Sequence, residues 1–440
     1  MREELLHFIW RFRYFNQQQL FTESGAALQI LSPGEYHSDQ GPDFRNAQIR
    51  IGDRLCEGPV ELHVLASDWV RHAHDGDVHY RDTILHVVWI NDWTGREGLT
   101  GTPGNIPILT LQQRVPKLLL SRYERWMKSE TFLPCERQLL ETGSHIAGVS
   151  AAWLQELAVR RLRRRALLIG EDLKQNRQHW EETMWIHLAR SMGQAVNADA
   201  FEAIARSLKV EWMVRLRSER PALEALLLGQ AGLLDGKFCD DYPLALQREY
   251  RFLRVKWGLS APVLPISFLR MRPAHFPTIR LAQLAALMAD GIRWFACVRE
   301  AGSPAAVMEK LHVDAGSYWE THYRPDKPVT ARPRRLGIVT RQGLLINAFI
   351  PLLFAYGWLR EEPAFTEKAL CWLRELPPEK NSLISRWRQL GLAAVNAADT
   401  QALLELKKHY CVTRRCLDCA IGRVLLGQEG ETFVPPSRVA

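Results

Sequence analysis

Residues 41–65 read GPDFRNAQIRIGDRLCEGPVELHVL. Ala47, Ile49 and Ile51 alternate with Gln48 and Arg50, the period-two pattern of a strand with one buried face. Gly52-Asp53 is a turn signal. Beyond Gly58, Val60, Leu62 and Val64 share one face while Glu61 and His63 share the other, because successive side chains alternate across a strand. The stretch predicts a hairpin with Asp43 just ahead of one strand and Glu61 inside the next.

Upstream, Ala27 to Leu31 predicts a short strand ended by Ser32-Pro33-Gly34, and Glu3 to Phe15 an amphipathic helix offering Leu6, Ile9, Trp10 and Phe15 to a sheet. Downstream, Thr83 to Ile90 and Ile106 to Leu111 supply two more strands. Past Cys135 the composition shifts to Ala- and Leu-rich periodic segments, such as the stripe of Leu154, Leu157, Ala158, Leu162 and Ala166. The expected fold is an α/β N-terminal domain with a mixed central sheet, followed by a mainly α-helical region. The division is residues 1–145, a helical domain over 146–260, and a helical C-terminal domain with a cysteine motif over 261–440.

With 47% hydrophobic residues in 440, the chain is a folded protein rather than a disordered one. Its formal charge of +8 makes an anionic partner such as DNA or RNA plausible. The first residues contain no secretory segment, and the longest apolar run, Leu344 to Leu359, is interrupted by Asn347 and Pro351. These features lead us to expect a cytoplasmic protein with no membrane partner. No glycine-rich phosphate loop or dinucleotide fingerprint is present, which removes support for a motor ATPase or a nicotinamide enzyme.

Hydrolysis of a phosphodiester calls for a cation that offsets charge on the phosphate and lowers the pKa of the attacking water. Magnesium takes one or two carboxylates plus phosphate and water. Asp43 and Glu61 on neighbouring strands supply such a pair, with Mg2+ or Mn2+ as the expected ion. His63, projecting from the same face as Glu61, can position or deprotonate the water as a neutral imidazole.

This arrangement resembles the PD-(D/E)XK nuclease superfamily, in which a Pro-Asp pair opens one strand and Glu-x-Lys lies on the next. Pro42-Asp43 and Glu61-Leu62-His63 occupy those places. The resemblance implies a restriction-endonuclease-like domain in which Asp43, Glu61 and the Leu62 carbonyl bind the metal. It sets His63 where the superfamily has lysine, removing a permanent cation. An acid on the first helix often completes such sites, and Glu3 or Glu4, or less readily Glu35, can take that place.

The segment that follows, Arg71-His72-Ala73-His74-Asp75-Gly76-Asp77, has no His pair at helical spacing and no cysteine partners, so it matches no zinc signature. Arg71, His72 and His74 are read as a rim that meets substrate phosphate. His86, inside a strand, is read as a packed core histidine. Near the C-terminus, Cys411, Cys416 and Cys419 have spacing suited to Zn2+ or an iron–sulfur cluster, with His409 nearby or Cys135 or Cys371 brought in by folding as the fourth ligand. Buried, metal-free thiols are the alternative. Two arginine groups, Arg160 to Arg165 and Arg332 to Arg335, are either nucleic-acid tracks or solvated faces.

At full length the chain resembles a bacterial family known as a domain of unknown function. The resemblance rests on Gly41-Pro42-Asp43-Phe44, Val60-Glu61-Leu62-His63, Ile84 to Trp89, Phe276 to Ala285, and Tyr410-Cys411 with Cys416, Cys419, Ile421 and Gly422. Together these readings point to a divalent-metal-dependent nuclease. A non-catalytic nucleic-acid-binding or scaffold protein, and a metal-dependent hydrolase of a small phosphoester, are the alternatives.

Overall fold

The computed structural model describes residues 1–37, 41–74, 77–92, 106–142, 147–260, 264–269, 271–291 and 293–427. Asp75, Gly76 and Pro262 lie outside them. Packing divides the chain into two compact units: Met1–Ser150 joined by the segment that starts at Lys407, and Ala151–Leu406. This division differs from the composition-based one, because the cysteine-bearing C-terminal segment packs with the N-terminal unit.

The N-terminal unit is a mixed sheet. Helix α1 (Glu3–Arg11) precedes β1 (Leu20–Phe21), β2 (Ala27–Ser32), β3 (Glu35–Tyr36), β4 (Phe44–Ile51) and β5 (Arg54–Leu65). Next come α2 (Asp68–Arg71), β6 (Leu85–Ile90), β7 (Ile108–Thr110), α3 (Lys117–Lys128) and α4 (Glu136–Thr142). The strand order is β1-β2-β4-β5-β6-β7, with β3 also paired to β4. Strands β1 to β5 pair antiparallel. β6 runs parallel to β5, and β7 parallel to β6.

The predicted hairpin is β4–β5, closed at Gly52, whose φ of 58° needs a residue without Cβ crowding. Its register slips by one residue between Phe44 and Ala47, where Asn46 adopts φ 56°. Such a bulge bends the strand and re-aims the side chains beside it. Here it lies immediately after Asp43. A parallel neighbour for β5 requires a crossover, and residues 66–84 supply one through α2 and a short 3-10 turn at Val78–Tyr80.

Helix α1 lies on β5 and buries Leu5, Leu6, Phe8, Ile9 and Trp10. Each such side chain contributes roughly 1.5–3 kcal/mol on leaving water. Trp10 Nε1 also donates to the Pro33 carbonyl at 3.0 Å. Both faces of β5 are covered at its centre, so Glu61 and His63 are as buried as Val60 and Leu62.

The second unit is almost wholly helical. The stripe from Leu154 to Ala166 is buried on helix α5 (Ala147–Gln175), as its period predicts. The predicted interruption at Pro351 is absorbed differently. A π-turn at Leu345–Phe349 lies directly ahead of helix Ile350–Leu359 and shifts the hydrogen-bond register where Pro351 lacks a donor, so the helix continues through the proline. The apolar run is thus part of a 22-residue helical stretch, Ile338–Leu359, long and apolar enough to cross a membrane, and 61% of its most apolar window is buried inside the protein as in a core helix.

Candidate metal centre

Four elements converge on the Glu61 face of β5. The Asp43 amide donates to Glu61 Oε2 at 3.0 Å, and the Leu62 amide donates to Asp43 Oδ2 at 3.0 Å. The two carboxylates expected to meet are therefore neighbours, tied through each other's backbone. His7, on α1, brings Nε2 to 3.1 Å from Asp43 Oδ2.

The other oxygen of Glu61 faces imidazoles. Oε1 lies 3.5 Å from both His63 Nε2 and His74 Nε2. His72 Nδ1 is 3.2 Å from His63 Nε2. One nitrogen from each of His63, His72 and His74 fits within 4.8 Å of the others, a triad that could coordinate a metal ion. It is the one such group of His, Cys, Asp or Glu among the described residues.

The crossover makes the triad possible. It returns over β5 and carries His72 and His74 back onto Glu61 and His63. Trp69 and Tyr80 close around them: the Tyr80 ring stacks on His74 with centroids 3.8 Å apart, and Trp69 meets His63 edge-on at 6.2 Å. On β6, His86 pairs in register with Glu61, and its Nε2 lies 2.9 Å from His63 Nδ1. That contact holds the His63 ring in place, and with His63 Nδ1 as the donor its Nε2 keeps a lone pair toward His72 and His74.

Electrostatics in this pocket disfavour charge on Glu61, His63, His86 and Tyr80. Burial, and next the charge of Asp43, push Glu61 far above the ordinary carboxylate range. Burial and then His86 pull His63 down to about 2, and burial followed by His74 pulls His86 to about 3. Imidazoles that stay neutral keep their lone pairs available to a cation. Burial, then Glu61 and Asp43, lift Tyr80 to about 12, so it remains a neutral phenol.

The remaining expected residues divide. Glu3, exposed at the start of α1, has its carboxyl raised by partial burial, with His7 lowering it and Asp43 raising it again. Glu4 and His7 line a cavity of about 700 Å3 together with Arg2, Arg11, Arg414 and Arg415. Glu35 is exposed on β3. Arg71 points to solvent and pairs with Asp68 at 2.7 Å.

Sequence reading missed His7 and undervalued His86. His7 stands one helical turn beyond Glu3, on the face where an acid was sought, and that spacing was the available signal.

The family described as Protein of unknown function (DUF2851) matches residues 3–382. The chain belongs to that family. No curated protein and no solved structure matches it. In this DUF2851 chain the matched region contains every residue of the histidine and carboxylate cluster, and ends before Cys411.

Several arginines of the two groups are held by the helical unit itself, while Arg163, Arg332 and Arg335 are exposed. Arg161 donates to Gln401 at 2.6 Å, Arg164 reaches Glu405 at 2.6 Å, and Arg165 bonds the Asn347 carbonyl. Burial lowers Arg165 to about 9. Arg334 is buried with its guanidinium 4.1 Å from the Tyr323 ring centroid. Cys416 and Cys419 are buried, Cys411 and Cys135 are half-buried, and Cys371 is exposed.

Proposed function

We propose that this chain is a divalent-metal-dependent hydrolase of phosphodiesters, with a nucleic-acid backbone as its substrate class. The observation that carries the reading is the position of Glu61. One oxygen faces His63 and His74, and the other faces Asp43. A carboxylate so placed can bridge a histidine-rich ion position and a carboxylate-rich one. A cation there would offset the burial and the neighbouring Asp43 charge that raise Glu61, polarise a phosphoryl oxygen and supply a hydroxide near neutral pH.

The donor set suits Mn2+ or Zn2+ as well as Mg2+, because imidazole is a better ligand for the first two. His63 serves as a ligand in this reading: its ring stays neutral and both its nitrogens are engaged, so it does not replace the lysine of the PD-(D/E)XK pattern as a cation. The succession of α1, five antiparallel strands, a crossover and a parallel strand, with Asp43 and Glu61-Leu62-His63 on the central hairpin, supports that nuclease resemblance. The four arginines lining the cavity beside His7 favour an anionic substrate. The cavity's volume falls within the range of small-ligand sites, and this favours a small phosphodiester as the second reading.

The test is metal-stripped full-length protein reloaded with Mn2+, Zn2+ or Mg2+ and offered single- and double-stranded DNA, RNA and a chromogenic phosphodiester. Metal-dependent cleavage lost in both Asp43→Asn and Glu61→Gln supports the proposal. Equal cleavage by all three proteins, or nucleic-acid binding without turnover under any metal, contradicts it.

A further inference from the structure

The cavity of about 700 Å3 in the N-terminal unit is walled by α1, β3, α3 and the segment that follows Cys411. Its basic and aromatic walls meet at Arg11. The Arg11 guanidinium lies 5.5 Å from the Phe12 ring centroid and 5.8 Å from that of Tyr36. Tyr36 is 44% exposed, so its ring is open to a ligand, whereas Phe8 and Tyr123 are buried and give the cavity an apolar wall.

The charge of the lining is positive. Asp418 is taken up by Arg415 at 2.8 Å. Arg414 is fixed by backbone carbonyls, donating to that of Trp126 at 2.6 Å and that of Ser129 at 2.5 Å. Arg2, Arg11 and Arg414 form no ion pair with a carboxylate among the described residues. Glu4, which also faces the cavity, offsets only part of that charge.

His7 ties this cavity to the metal centre. It lines the cavity, stands against Tyr36 with ring centroids 5.6 Å apart, and places Nε2 3.1 Å from Asp43 Oδ2. A molecule seated in the cavity is therefore one imidazole away from the carboxylate side of the centre.

We propose that the cavity receives one unpaired nucleotide of the substrate, with its base against Tyr36 and its phosphate on Arg2 and Arg11, so that the substrate class is single-stranded nucleic acid. The inference deepens the hydrolase reading and rests on it for the cleavage step. Every base has a π-face that stacks on an aromatic ring, and a guanidinium beside that ring adds to the attraction. The planar fork of arginine matches the oxygens of a phosphate. A cavity of this size holds a small ligand. A base inside a duplex reaches it only by flipping out of its stack, at a cost that a single strand does not meet. A bare phosphate or a sugar phosphate would use the arginines and leave the aromatic wall uncovered.

Isothermal titration of metal-stripped full-length protein with AMP, ribose 5-phosphate and inorganic phosphate separates the base from the phosphate. AMP should bind about tenfold more tightly than ribose 5-phosphate. Tyr36→Leu should erase that preference and Tyr36→Phe should keep it, while Arg11→Gln should weaken both ligands by the same factor. Phe252→Ala, at an exposed ring of the helical unit, should change neither. A short single-stranded oligonucleotide should displace AMP at lower concentration than the same sequence as a duplex. Wild type that binds no AMP, that binds AMP and ribose 5-phosphate equally, or that releases AMP as readily to the duplex would overturn the proposal, as would a base preference that survives Tyr36→Leu. The wild-type arms stand even where a variant fails to fold. Because binding is measured without metal, a base preference in a protein that shows no metal-dependent cleavage would remove the hydrolase reading and keep the nucleotide site, and cleavage without a base preference would do the reverse.

Discussion

Asp43 and Glu61 hold each other through the backbone: the Asp43 amide donates to the Glu61 carboxylate at 3.0 Å, and the amide after Glu61 donates to the Asp43 carboxylate at the same distance. Two acids that would otherwise repel are kept adjacent by a β-hairpin whose bulge lies between Phe44 and Ala47, just past Asp43. The spare oxygen of Glu61 then faces His63 and His74. The arrangement makes a buried, electron-rich pocket that a cation would stabilise.

His86 should matter to metal affinity without contacting the ion, because it orients His63 from 2.9 Å. His86→Leu is expected to weaken Mn2+ binding by roughly 10- to 100-fold. Isothermal titration of the stripped protein measures this, with circular dichroism verifying that the sheet remains. Unchanged affinity would remove His86 from the centre.

The raised Glu61 carboxyl has a definite sign in stability. A carboxyl whose folded pKa exceeds its unfolded one binds more protons when folded, so metal-free stability falls as pH rises above the ordinary carboxylate range. Metal-free Glu61→Gln should therefore melt higher than wild type at pH 8, with the gap closing toward pH 4.5, as thermal denaturation across pH would show. His63 and His86 act in the opposite direction. Their folded pKa values are lowered, so they destabilise as pH falls below the usual histidine value near 6.5 in both proteins.

Arg11 lines the arginine-rich cavity. Arg11→Ala should raise KM for an anionic substrate several-fold while kcat stays within about twofold, the pattern of lost uniform binding. Steady-state kinetics at two salt concentrations separate this from a catalytic loss.

In the helical unit, Glu224 is buried and accepts from Tyr242 Oη and Trp319 Nε1, both at 2.8 Å, and from Arg220 at 3.2 Å. Removing it strands three donors. Glu224→Ala should destabilise the protein by roughly 3 kcal/mol, read by urea denaturation, with Mn2+ affinity unchanged.

The hairpin was legible because alternation in Ala47 to Ile51 and the Gly52 turn act locally. Asp43, Glu61 and His63 could be named for the same reason. His72 and His74 carry no periodic signal, since a crossover rather than a helix delivers them to Glu61, and they were read as a rim. The arginines of α5 looked like a free basic face because Glu405 and Asn347, which hold them, lie far along the chain. That the C-terminal cysteines share a unit with Cys135 and not with Cys371 was hidden on the same ground, since spacing along the chain does not show it.

Anomalous diffraction at the manganese edge, from crystals of the full chain equilibrated with Mn2+, tests the central claim most directly. The account predicts a peak in ligand contact with the Glu61 carboxylate and at least two of the His63, His72 and His74 imidazoles, absent in crystals of Glu61→Gln. Saturating Mn2+ with no peak at that position, or a peak that persists unchanged in Glu61→Gln, would contradict it.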